Sequence, residues 1–112
     1  MPDGALWRTL AIALALVAGP VIGDEAARPV WIDVRSPEEY AHEHLAGTRL
    51  VPFDGIEKGV RQLQLGKDTP IYLFCASGGR SELARERLEA QGYTRVVNVG
   101  GLEEARSALG SR

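Results

Sequence analysis

Pro70-Ile71-Tyr72-Leu73-Phe74-Cys75-Ala76-Ser77-Gly78-Gly79-Arg80-Ser81 is the stretch on which the fold turns. The apolar run Ile71–Cys75 has no alternation of polar and apolar residues. A strand of that kind is covered on both faces, as at the centre of a parallel sheet. Two glycines and a serine follow at once, so the strand turns sharply into a helix that starts near Ser81. That helix carries Leu83, Ala84 and Leu88 on its expected inner side, charges outside, and Gly92 as its C-terminal stop.

Working outward, the same strand-then-helix unit recurs. Val30-Trp31-Ile32-Asp33-Val34 is β-branched and aromatic, a strand. Ser36-Pro37-Glu38-Glu39 then presents a capping serine, a proline at the first helical position and a glutamate three residues after the cap, so a short helix runs to His42 or Glu43. Arg49–Val51 is a second short strand stopped by Pro52. Residues 54–65 carry Ile56, Val60 and Leu63 on one helical face, closed by Gly66. Val96–Val99 is a strand, and Leu102–Leu109 a last short helix. Alternating strand and helix predicts an α/β domain with a mainly parallel sheet and helices on both faces.

Composition bounds the function. The 112 residues carry 13 Lys and Arg against 15 Asp and Glu, a net charge of −2, which leaves no basic footprint for nucleic acid. One cysteine excludes an internal disulfide framework and a multi-cysteine metal site, and two histidines leave little for a zinc site. Leu10–Ala18 is an unbroken apolar run, preceded by Arg8 and followed by Gly19-Pro20 and a small-residue exit. It is shorter than the roughly 18–20 residues of a spanning helix, and its layout is that of a secretory signal cleaved near Gly23. An uncleaved membrane anchor is the alternative. Residues 24–112 then form a single domain, expected to act as a monomer in the periplasm.

The chemistry gathers where the central strand ends. In an open α/β sheet, ligands bind beyond the carboxyl ends of the strands. Gly78 and Gly79 let the backbone curl with its N–H groups turned inward, an anion-binding nest. The helix start at Ser81 adds free N–H groups, and Arg80 adds a cation. A thiol in that field has a lowered pKa and is a nucleophile as the thiolate. A lone cysteine in an apolar strand is ordinarily a small buried hydrophobe. The strand end, the glycines, the arginine and the helix start together reverse that reading for Cys75. Ala76, Ser77, Gly78, Gly79, Arg80 and Ser81 are the expected binding residues. Glu39 is taken as a cap partner, and Trp31 and Tyr72 as core.

The chain resembles the rhodanese-domain family, in particular its small exported single-domain members. The resemblance runs from about Val30 to Leu102. It is carried by Trp31-Ile32-Asp33-Val34-Arg35 with Ser36–Tyr40, by His44-Leu45-Ala46-Gly47-Thr48, by Cys75–Ser81, and by Asn98-Val99-Gly100-Gly101-Leu102. It implies a sulfurtransferase whose cysteine takes sulfane sulfur from a donor such as thiosulfate. The resulting persulfide passes that sulfur to cyanide or a thiol, with no metal or organic cofactor. It also implies a structural role for Asp33 and Arg35, although Arg35 would equally add positive potential near the loop. Phosphatases and arsenate reductases of the same fold have one more residue between cysteine and arginine, so the six-residue Cys75–Arg80 loop favours sulfur chemistry. Ala76 stands where many relatives carry a second basic residue, leaving Arg80 as the only loop cation. A non-catalytic sulfur-carrier module is the alternative from a different class. His44 falls in the family's turn motif, so neither His42 nor His44 is assigned to catalysis.

Expressed with its leader in a Gram-negative host, the chain is expected to appear in the periplasm with a new N-terminus at or near Asp24. Intact mass of the purified protein checks this; a full-length product retained on membranes would favour the anchor.

Overall fold

The computed structural model describes residues 28–110. The leader assignment at residues 1–23 lies outside them. Four strands, β1 (Val30–Asp33), β2 (Arg49–Leu50), β3 (Ile71–Phe74) and β4 (Val96–Gly100), form one sheet in the order β2-β1-β3-β4, with every pairing parallel. The sheet is therefore open, with β3 near its middle and its carboxyl ends together at one edge.

Helix α1 (Pro37–His42) begins as its sequence dictates. The Ser36 hydroxyl accepts from Glu39 N at 3.1 Å, and the Glu39 carboxylate accepts from Ser36 N at 2.9 Å, with Pro37 in the first turn. Helix α2 (Ile56–Gln62) follows a 3₁₀ turn at Phe53–Gly55. It buries Ile56 and Val60 but stops earlier than the periodicity predicts. Leu63 N is shared between the Gly59 and Val60 carbonyls, and Gln64 takes φ 59°, so the chain leaves the helical path before Gly66.

Helix α3 (Gly79–Ala90) starts two residues sooner than expected and is capped at its C-terminus by Gln91, with Gly92 at φ +99°. Its inward residues are Ser81, Ala84 and Leu88, at spacings of three and four. Leu83, expected to face inward, is 51% exposed. The small Ser81 and Ala84 define the line that meets the sheet, and Leu83 lies a quarter-turn or more away from it. Helix α4 (Leu102–Gly110) packs on the opposite face.

Two apolar layers result. Ile32, Val34, Ile71, Leu73, Cys75 and Val96 meet Ile56, Val60, Ala84 and Leu88 on the side of α2 and α3. Trp31, Phe74 and Leu45 meet Ala105 on the side of α4. The sheet is thus covered on both faces, as the apolar run of β3 requires, and Phe74 and Leu73 are fully buried on opposite sides.

At the end of β1 a charge pair sits inside the fold. Asp33 is completely buried and Arg35 nearly so. Arg35 Nε donates to both Asp33 oxygens at 3.0 Å, Nη2 donates to Oδ2 at 2.8 Å, and Arg35 N donates to Oδ1 at 3.0 Å. Nη2 also donates to the Glu43 carbonyl at 2.7 Å, which ties the end of α1 to the sheet. The hydrogen bonds that Arg35 donates to Asp33 push the Arg35 pKa up despite burial, so the guanidinium stays charged. Removing one member strands a buried charge.

Asp33→Ala is expected to cost about 3–5 kcal/mol of unfolding free energy. Leu83→Ala, an exposed position, should stay within about 0.5 kcal/mol of the parent. Urea titration followed by circular dichroism reads both.

Candidate active site

Beyond the carboxyl end of β3 the chain enters the loop from Cys75 to Ser81, and β4 fixes that loop from below. Cys75 N donates to Gly100 O at 3.1 Å, and Leu102 N to Ala76 O at 3.4 Å. Ser77 and Gly101 form an isolated antiparallel bridge. A Cβ on Gly101 would lie 2.5 Å from the Ala76 carbonyl oxygen, so the two backbones approach this closely only at a glycine. Gly78, at φ +106°, turns the chain into α3 and leaves the helix start without a side-chain cap.

The thiol lies against this uncapped helix start. Gly78 N lies 2.9 Å from Cys75 Sγ, and the Ser81 hydroxyl 3.5 Å from it. Cys75 is 1% exposed, at the floor of the loop. Burial pushes the thiol pKa up. The Ser81 hydroxyl and the backbone N–H groups of Ser81, Ser77 and Gly78 push it down by more, and the net position is below that of an ordinary thiol. The arrangement can stabilise a sulfur anion without a metal or an adjacent base.

Asn98 is the residue that sequence reading quoted but gave no role. Its Nδ2 donates to Gly78 O at 3.1 Å, and its Oδ1 accepts from Gly100 N at 3.0 Å and from the Ser81 hydroxyl at 2.7 Å. Gly78 O also accepts from Glu82 N at 3.1 Å, and the Ser81 hydroxyl oxygen lies 3.1 Å from it. The β3–β4 pairing slips by one residue here, from Leu73 opposite Asn98 to Phe74 opposite Gly100. Such a bulge re-aims a side chain, and here Asn98 faces the loop. A polar residue inside Val96-Val97-Asn98-Val99 was the available signal, because a half-buried amide in a strand needs partners.

Arg80 has a partner that the sequence did not suggest. Its Nη1 and Nη2 donate to Glu39 Oε1 and Oε2 at 2.8 and 3.0 Å, a two-pronged ion pair. Glu39 therefore caps α1 and binds the loop arginine at once. The Arg80 guanidinium, together with the Ser36 hydrogen bonds, holds the Glu39 carboxyl at about 2.

Of the other expected residues, Ala76 and Ser77 are exposed at the mouth of the loop. They line a cavity of about 450 Å³ with Arg35, Leu102, Glu103 and Glu104. Arg35 and Arg80 also line a smaller one of about 130 Å³ with Asp54 and Phe53. Asp33 lies beneath, paired to Arg35. His44 stacks on Tyr40 at 4.0 Å with its Nδ1 on the Tyr40 carbonyl, and neither histidine hydrogen-bonds Cys75 among the described residues.

A parallel α/β sheet with a thiol seated in a nest of N–H groups defines a class of cysteine-dependent group-transfer domains. Residues 22–108 match the family model of the rhodanese-like domain, and the chain belongs to that family. It is 37% identical over 94 residues to the thiosulfate sulfurtransferase PspE of Escherichia coli, covering 83% of this chain and 86% of that protein. It is 40% identical over 68 residues to a putative sulfur carrier protein, YrkF, of Bacillus subtilis, covering 61% of this chain but 36% of that one. Among solved structures, a rhodanese with anions from E. coli superposes with a TM-score of 0.65 at 35% identity, covering 69% of this chain and 91% of that chain. These relatives support a sulfurtransferase family assignment that uses a sulfur donor and an acceptor.

Only the thiolate is nucleophilic, so activity should rise with pH through the Cys75 pKa and level off below the range of an ordinary thiol. Ser81→Ala removes a donor to the anion and should move that midpoint upward. Its rate would then be depressed at low pH and recover at high pH. Alkylation rate against pH reads the midpoint directly; an unmoved midpoint would mean the hydroxyl serves Asn98 alone.

Proposed function

We propose that this protein is a thiosulfate sulfurtransferase that carries sulfane sulfur on Cys75. The observation that supports it most is the convergence of loop N–H groups on a buried Sγ, with Gly78 N at 2.9 Å. The Cys75 thiolate attacks the outer sulfur of thiosulfate. The bond between that sulfur and the sulfonate sulfur breaks, and sulfite leaves with the electron pair. Cys75 is then a persulfide anion, and the N–H groups of the Cys75–Arg80 loop hold the charge that sat on the thiolate. Cyanide attacks the outer sulfur, leaves as thiocyanate and restores the thiolate; a thiol acceptor would take the sulfur as its own persulfide. The two half-reactions share one covalent intermediate, so the kinetics are ping-pong.

The apolar leader at Leu10–Ala18 supports placing this activity in the periplasm. The six-residue Cys75–Arg80 loop supports sulfur over a tetrahedral oxyanion as substrate.

Purified protein incubated with thiosulfate and cyanide should form thiocyanate, and Cys75→Ser should lower the rate by at least about 10³-fold, the scale of losing a covalent nucleophile. Mass spectrometry after thiosulfate alone should find one added sulfur atom, removed by cyanide. Equal rates in parent and variant would sink the proposal. Loading from a partner protein without turnover of free thiosulfate would instead make the domain a carrier.

A further inference from the structure

The only cation of the loop is already occupied. Arg80 is the sole Lys or Arg between Cys75 and Ser81, and both of its terminal nitrogens donate to the Glu39 carboxylate. The pair is about one-third exposed on each side, so water and small anions reach it. Its surroundings add negative charge. Asp54 shares the small cavity beside Arg80, and Glu103 and Glu104 share the neighbouring one beside Ala76 and Ser77. Arg35, the other guanidinium at these cavities, is committed to Asp33.

We propose that Glu39 is a specificity-determining residue which, by competing for the Arg80 guanidinium, disfavours doubly charged sulfur donors relative to singly charged ones. Glu39 acts through Arg80 and positions it; it does not touch the reacting sulfur. Any anionic donor that approaches Cys75 meets either a guanidinium whose two prongs are taken or, after displacing the pair, a freed carboxylate. Both routes penalise the donor in proportion to its charge, since Coulomb energy is linear in charge. Thiosulfate carries two negative charges, and an aryl thiosulfonate presents the same outer sulfur with one. Thiosulfate is then a donor handled at a charge penalty, and singly charged sulfane-sulfur donors are favoured relative to it. This inference borrows from the sulfurtransferase proposal only the identity of the reacting sulfur.

Glu39→Gln separates the charge from the cap, because the glutamine amide oxygen still accepts from Ser36 N. With cyanide as acceptor, the variant should show a KM for thiosulfate lowered about tenfold at unchanged kcat. Linearity in charge makes the fall for an aryl thiosulfonate about the square root of that, roughly threefold. Both gains should shrink at high salt, which screens a partly exposed pair. A merely structural role would alter kcat, or would treat the two donors alike, and either result overturns the proposal. Binding keeps the test independent of turnover. In a Cys75→Ser background, calorimetry should find thiosulfate bound more tightly when Glu39→Gln is added, and unchanged or weaker binding overturns it. Absence of thiocyanate from the parent would count against the sulfurtransferase proposal alone.

Discussion

A sulfur anion at 1% exposure can exist only where the protein replaces the water it has lost, and that requirement organises this domain. The replacement donors are backbone N–H groups at the start of α3 together with the Ser81 hydroxyl. Backbone donors cannot be aimed by rotating a side chain, so the loop itself has to be held. Asn98 and Gly100 of β4, and Leu102 just beyond it, hold it through the Gly78, Cys75 and Ala76 peptides respectively. The parallel sheet is what brings the ends of β3 and β4 side by side. Core packing and site electrostatics are therefore one problem in this fold: a shift of β4 relative to β3 would move the donors off the sulfur.

The ion pairs fall into two kinds by burial. Asp33–Arg35 is sealed, satisfied by four hydrogen bonds within the pair and one to the Glu43 carbonyl, and positions the end of α1. Arg80–Glu39 spans from α3 to α1 at the rim and remains open to solvent. The first resists exchange with any ligand because its members would be left uncompensated. The second can exchange partners at modest cost, because water stabilises whichever charge is released.

Local signals in the chain carried most of the architecture. The Ser36–Glu39 capping box, the Gly92 stop and the two-sided apolar run of β3 are each readable because a single physical rule acts within a few residues. The early end of α2 at Gln62 and the outward Leu83 were not readable, since both depend on how a helix rolls against the sheet. The site divides in the same way. Cys75, the glycines and Ser81 are contiguous and announce themselves. Glu39 is 41 residues from Arg80, and its capping role already accounted for it, which hid the second one. Asn98 is brought to the loop by a bulge, a feature set by pairing between strands that no single segment contains.

The depth of Cys75 bears on how the protein survives between reactions. In the proposed persulfide, the added sulfur would stand about 2 Å beyond Sγ along the new bond. The buried thiol is thus withheld from bulky electrophiles, while the outer sulfur of the proposed persulfide would stand clear of the buried Sγ. Occupancy itself would decide which chemistry the surroundings can see. Under the proposed sulfur transfer, the resting form is guarded by recess and the loaded form is the more accessible of the two.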